Sequence, residues 1–98
     1  MGYSMKSIIQ KEKECYICGS KNNLHLHHIF FGTANRKISD ENGFTCYLCH
    51  QHHNGQLASV HFNKKMDLML KEICQKVYEL RHTREEFMKL IGKNYLDD

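Results

Sequence analysis

The chain has 98 residues, of which 41% are hydrophobic and 26% charged, with a formal net charge of +3. That is the length of one domain, and no stretch approaches the roughly 20 apolar residues that span a bilayer. Five cysteines, an odd number, argue against a full disulfide framework. The mild positive charge permits a nucleic-acid partner but does not demand one. The polar, lysine-rich start lacks signal-peptide character, so the expectation is a cytoplasmic protein with reduced thiols and no membrane partner. In that setting close-spaced cysteines bind metal more often than each other.

In chain order, residues 1–14 read as a polar lead-in with at most one helical turn. Cys15-Tyr16-Ile17-Cys18-Gly19 reads as a metal-binding knuckle, in which Gly19 gives the turn its freedom. Residues 24–31 (LHLHHIFF) alternate and then run apolar, which predicts a short strand. Residues 32–43 (GTANRKISDENG) are rich in Gly, Asn, Ser and Asp and suggest a long loop. Residues 44–48 (FTCYL) predict a second strand, which would pair with the first as a hairpin.

After residues 49–55 (CHQHHNG) comes a helix, with apolar positions at Met66, Met69, Leu70, Ile73, Val77 and Leu80. Asn63 is its expected N-cap. A second helix is expected to start at Thr83, where Thr83-Arg84-Glu85-Glu86 has capping-box form, with Phe87, Leu90 and Ile91 as its apolar face and Gly92 as its stop. The expected fold class is α+β. One domain would fill 1–98, with a zinc-stapled core over 15–66 and C-terminal helices over 67–98. Cys46 and Cys74 read as small buried residues.

Zinc takes four soft or borderline ligands in a tetrahedron, and a two-residue spacer lets both side chains of a tight turn reach one ion. Cys15 and Cys18 form one such pair, and Cys49 and His52 the other, with thirty residues between them. These four are the candidate structural zinc site. A thioredoxin-like redox motif would need a strand before Cys15 and a helix after it. A DNA-reading zinc finger needs roughly 12 residues between its cysteine pair and its first histidine, whereas eight lie between Cys18 and His27.

His27 and His28 are adjacent on a predicted strand, so their side chains point to opposite faces. One can serve a metal and the other a substrate. Phosphodiester hydrolysis divides its labour in that way, between a base that activates water and a cation that holds the phosphate. Imidazole, with an ordinary pKa of ~6.5, suits both roles. His27-His28-Ile29, a polar loop, Asn42-Gly43, then Leu48-Cys49-x-x-His52-His53 resembles the His-Asn-His (HNH) endonuclease family with its ββα-metal fold. The chain is most similar to small phage- and prophage-encoded members, including the zinc-bearing, RecA-dependent recombination-nuclease type. The resemblance covers residues 15 to about 66.

That resemblance implies a metal-dependent DNA endonuclease. His27 and His53 would ligate the catalytic ion, with His61 as a candidate third ligand, and His28 would be the general base. The ion would be Mg²⁺, with Mn²⁺, Ni²⁺ or Zn²⁺ as alternatives. The middle asparagine, which orients the base, would be Asn42, with Asn35 and Asp40 as rivals. Many members place it five residues before the cysteine, where this chain has Phe44. Arg36, Lys37, Lys64 and Lys65 would contact DNA without reading sequence. Phage or host recombination proteins are possible partners, and a homodimer would be one route to a double-strand break, since one such site cuts one strand. His25 and His50 read as ordinary polar positions, and His82 as surface. The competing reading is a non-catalytic zinc-stapled module that binds DNA or protein. It needs the zinc ligands but not His27, His28 and His53 together. A zinc hydrolase of another class ranks last, because neither a His-Glu-x-x-His nor a deaminase-type His-x-Glu motif is present.

Overall fold

The computed structural model describes residues 6–54 and 63–96. Strands β1 (Leu24–His28) and β2 (Thr45–Cys49) pair antiparallel, with Leu24 opposite Cys49 and His28 opposite Thr45. The predicted hairpin is present with shifted ends. β1 stops three residues early because Ile29 and Phe30 leave the ladder to enter the core, where they are 0% and 1% exposed. β2 runs one residue further, which makes Cys49 its last residue.

The expected loop between the strands is a helix, α1 (Thr33–Asn42). Its inward stripe is Asn35, Ile38, Ser39 and Asn42, all at least half-buried. That spacing is helical, but three of the four residues are polar, so a search for apolar periodicity passes over it. Ser39 anchors the helix: its hydroxyl donates to the Phe30 carbonyl at 2.7 Å and accepts from the Phe30 amide at 3.2 Å. Gly43 ends α1 in the left-handed region, at φ 73°.

Among the described residues of the lead-in, 6–14, there is no helix. The lead-in lies along the edge of β2 not paired with β1. The Ser7 hydroxyl donates to the Thr45 carbonyl, the Tyr47 amide to Gln10 Oε1 and the Tyr16 amide to the Tyr47 carbonyl, the last two at 2.8 Å. A two-stranded sheet with a bare edge would expose unpaired backbone groups, and residues 7–16 cover that edge.

Among the described residues three further helices follow: α2 (His50–Asn54), α3 (Lys64–Tyr78) and α4 (Arg84–Ile91). Asn63 caps α3 by accepting from the Met66 amide, and Thr83 and Glu86 form the complete capping box of α4. Gly92 ends α4 at φ 83°. The buried line of α3 runs through Leu70, Cys74 and Tyr78, rotated from the predicted stripe, so Met69 stands 41% exposed; Leu80, expected on the same stripe, falls past the helix end at Tyr78 and is 80% exposed. Gln75 flanks that line. It is fully buried and satisfied by Glu79, Asn94 and the Tyr95 amide, which ties the C-terminal segment to α3.

The core is aromatic at its centre. Phe30, Phe44, Tyr78 and Phe87 meet with ring centroids 5.4–6.1 Å apart, mostly edge to face or tilted. Cys46 and Cys74 are both 0% exposed, as small apolar packing residues. No helix among the described residues is long and apolar enough to cross a membrane.

Candidate functional site

The knuckle begins at Cys15, whose amide donates to the Ser20 carbonyl while the Gly19 amide returns to the Cys15 carbonyl, both at 2.8 Å. Gly19 sits at φ 78°, which lets the turn close. The Tyr16–Tyr47 backbone bond holds the knuckle against β2. At the other end, Cys49 closes β2 and His52 lies one turn into α2, because the helix starts at once.

These elements bring Cys15, Cys18, Cys49 and His52 together, with one ligand atom from each lying within 4.8 Å of all the others. Cys18 Sγ lies 3.8 Å from Cys49 Sγ, and His52 Nδ1 lies 3.2 Å from Cys49 Sγ and 3.6 Å from Cys15 Sγ. Sulfurs at about 2.3 Å and a nitrogen at about 2.0–2.1 Å from one tetrahedral ion lie about 3.5–3.8 Å from one another. The donor set therefore fits a metal such as zinc in both chemistry and spacing.

Electrostatics favour the same use. Burial pushes the Cys15 thiol up, but backbone amides of Cys49, Cys18 and Ile17 outweigh it and bring the thiol down to about 6. Burial holds Cys46 up at about 12 and raises Cys74 as well, so these two remain inert thiols.

A second group lies where α2 meets β1. Alternation along β1 puts His25 and His27 on one face, and α2 lays His53 between them. The His53 ring centroid is 5.0 Å from that of His25 and 5.4 Å from that of His27. His27 is buried and His53 half-buried. Successive helix residues point about 100° apart, which is how His52 can serve the cysteines while its neighbour His53 faces β1. Of the residues predicted to hold a catalytic ion, His27 and His53 are therefore brought together. His61 lies outside the described residues.

His28 leaves β1 on the opposite face and meets α1. Its Nε2 lies 2.7 Å from Asp40 Oδ1, with the His28 side chain 14% and that of Asp40 37% exposed. Asn42, the expected orienting residue, instead turns its Nδ2 back to the Ile38 carbonyl at 2.9 Å, within its own helix. The place beside His28 belongs to Asp40, which the sequence offered only as a rival; its advantage over Asn42 appears once residues 33–42 are known to be helical. Arg36 and Lys37 on α1, and Lys64 and Lys65 in the first turn of α3, are all exposed.

Two residues gain weight over their sequence reading. Asp40 takes the position expected of Asn42. His25, which read as an ordinary polar residue, touches His53; the signal for it was its place two residues before His27 on an alternating strand. No family model matches the chain, and no curated protein or solved structure matches it significantly.

Proposed function

We propose that this protein is a metal-dependent DNA endonuclease of the HNH type, with a ββα-metal core stapled by zinc at Cys15, Cys18, Cys49 and His52. The observation that carries the reading is the division of histidines at the end of β1. His27 meets His53 on one face, and His28 is held by a carboxylate on the other. A carboxylate only accepts, so the His28 Nε2–H donates to Asp40 and the lone pair is left on Nδ1. Nδ1 is then the atom that takes a proton from the attacking water, and Asp40 is a positioning residue that fixes the ring and its tautomer.

When bound beside His27 and His53, a divalent ion supplies charge to hold the scissile phosphate and to stabilise the leaving oxygen. Because His27 and His28 leave the strand on opposite faces, the phosphate has to sit over the end of β1, within reach of both. The exposed Arg36, Lys37, Lys64 and Lys65 are the proposed contacts to the phosphodiester backbone. A supercoiled-plasmid relaxation assay with Mg²⁺, Mn²⁺, Ni²⁺ or no added metal tests the reading. Nicking that depends on metal and on His28 supports it. No cleavage of any DNA form by zinc-loaded protein ends it.

One observation favours the second reading, a non-catalytic zinc-stapled binding module. Among the described residues, the Cys15–Cys18–Cys49–His52 group alone gathers three or more ligand atoms at metal-binding spacing. On that reading the same assay gives no cleavage with any metal, and His28→Ala changes nothing.

A further inference from the structure

We infer that His25 is a ligand, together with His53, for a first-row transition-metal ion at the junction of β1 and α2. The inference rests on the proposed nuclease reading only for placing an ion beside His53; the role of His25 is a separate claim. His25 Nδ1 and His53 Nδ1 are 3.0 Å apart. Two ring nitrogens about 2.0–2.1 Å from one ion lie about 2.8–3.4 Å apart for bond angles between the octahedral and the tetrahedral. A shift of a few tenths of an ångström would let both bind one ion.

A hydrogen bond between two imidazoles has the same length, so the distance needs the surroundings beside it. The His27 ring lies 5.4 Å from that of His53, and the His50 ring 5.6 Å from that of His25. Four imidazoles thus meet where one short helix crosses one strand face. Neutral imidazole is the commonest metal-binding side chain. The pairing also selects the class of ion. Nitrogen donors suit Ni²⁺, Zn²⁺, Co²⁺ and Cu²⁺, whereas Mg²⁺ and Ca²⁺ take oxygen. The site is therefore selective for the former group, whatever ion a nuclease assay prefers.

The experiment is calorimetric titration of Ni²⁺ into zinc-loaded protein, with zinc content and far-UV circular dichroism followed for each variant. Wild type is expected to bind one further equivalent of Ni²⁺, with no competition from equimolar Mg²⁺. His25→Ala and His25→Asn should each weaken that binding by at least ~10-fold with zinc retained, and the surface variant His82→Ala should leave it unchanged. Asparagine keeps a hydrogen bond to His53 within reach but is a poor ligand for these ions. A loss shared by both variants therefore reports a missing donor rather than a displaced α2. If both His25 variants bind Ni²⁺ as tightly as wild type while His27→Ala and His53→Ala lose it, His25 is only a hydrogen-bond partner. The inference is then overturned while the nuclease reading stands. If wild type binds no further equivalent, the inference is overturned as well. Loss at His25 and His53 in a protein that cuts no DNA upholds the inference and ends the nuclease reading.

Discussion

At the scale of single residues, the contact between His28 and Asp40 makes a claim about dependence. If Asp40 acts through His28, its effect vanishes when His28 is gone. We expect His28→Ala to lower the cleavage rate by ~10²-fold or more, with DNA binding and zinc content kept. Asp40→Asn should lower kcat by less and leave KM unchanged, and the double variant should be no slower than His28→Ala alone. Additive losses would show that Asp40 works elsewhere. The thiols give a second prediction. Cys15 lies at about 6 against an ordinary 9.0, so the folded protein binds fewer protons than the unfolded chain between those values. The stability this group contributes is complete above about 9 and is lost as pH falls through about 6. Protons also compete with metal for the thiolates, with the same sign. Zinc release, followed with a chromogenic chelator, should therefore rise as pH is lowered from 7 to 5. At pH 8 iodoacetamide should modify Cys15, Cys18 and Cys49 only after the metal is stripped, and Cys46 and Cys74 only after unfolding.

Elements differ in how far the sequence reveals them, and the reason is the kind of residue that carries each signal. α4 was legible to the residue because Thr83, Glu86 and Gly92 are caps, and capping acts locally. α3 was legible in extent but not in rotation. Apolar spacing finds a helix, yet its inward line is set by what faces it, here Phe44 and Phe87 against Tyr78. α1 was illegible because Ser39, not an aliphatic residue, is its most buried contact. The Cys15–Cys18–Cys49–His52 cluster was legible from spacing alone, whereas the choice of Asp40 over Asn42 depended on the helix that was missed. Gly43 lies at the end of α1, where its carbonyl accepts from the Ile8 amide at 2.9 Å. A Cβ there would come within 2.3 Å of the Lys6 carbonyl oxygen, on a backbone already at φ +73°. Gly43→Ala should cost at least about 1–3 kcal/mol, the range for a non-glycine residue held in the left-handed region. It should also loosen residues 6–10 from the sheet edge. Chemical denaturation and amide exchange at Ile8 measure the two effects. Unchanged stability would mean that the lead-in does not pack on this turn.

For the molecule as a whole, the Cys15–Cys18–Cys49–His52 cluster adds a side-chain junction to the backbone bonds that already hold the knuckle on β2. Cys15 and Cys18 lie on the knuckle that follows the edge-covering lead-in, and Cys49 and His52 sit where β2 becomes α2. The described part of α2, His50–Asn54, is too short to hold itself in water, and His52 would be its attachment to a metal held by the cluster. His53, the next residue, is the attachment of the histidine cluster. A metal bound at the cysteines would therefore act upstream of the site proposed to do chemistry. Apparent binding energies at structural zinc sites in small peptides run to about 10–16 kcal/mol, which is folding energy for the chain that gains them. Stripping zinc with a strong chelator, or substituting Cys15→Ala or Cys49→Ala, should lower the melting temperature and the solubility strongly. It should also abolish Ni²⁺ binding at the histidine cluster, although none of these changes touches a histidine of that cluster. The converse should not hold: His27→Ala or His53→Ala should lose the second ion and any cleavage while keeping one zinc per chain and a folded spectrum. A zinc-free protein that melts where the loaded one does would show that the four ligands do not staple the fold. One that melts early yet binds Ni²⁺ undiminished would show that α2 is held by the packing of β1 rather than through His52.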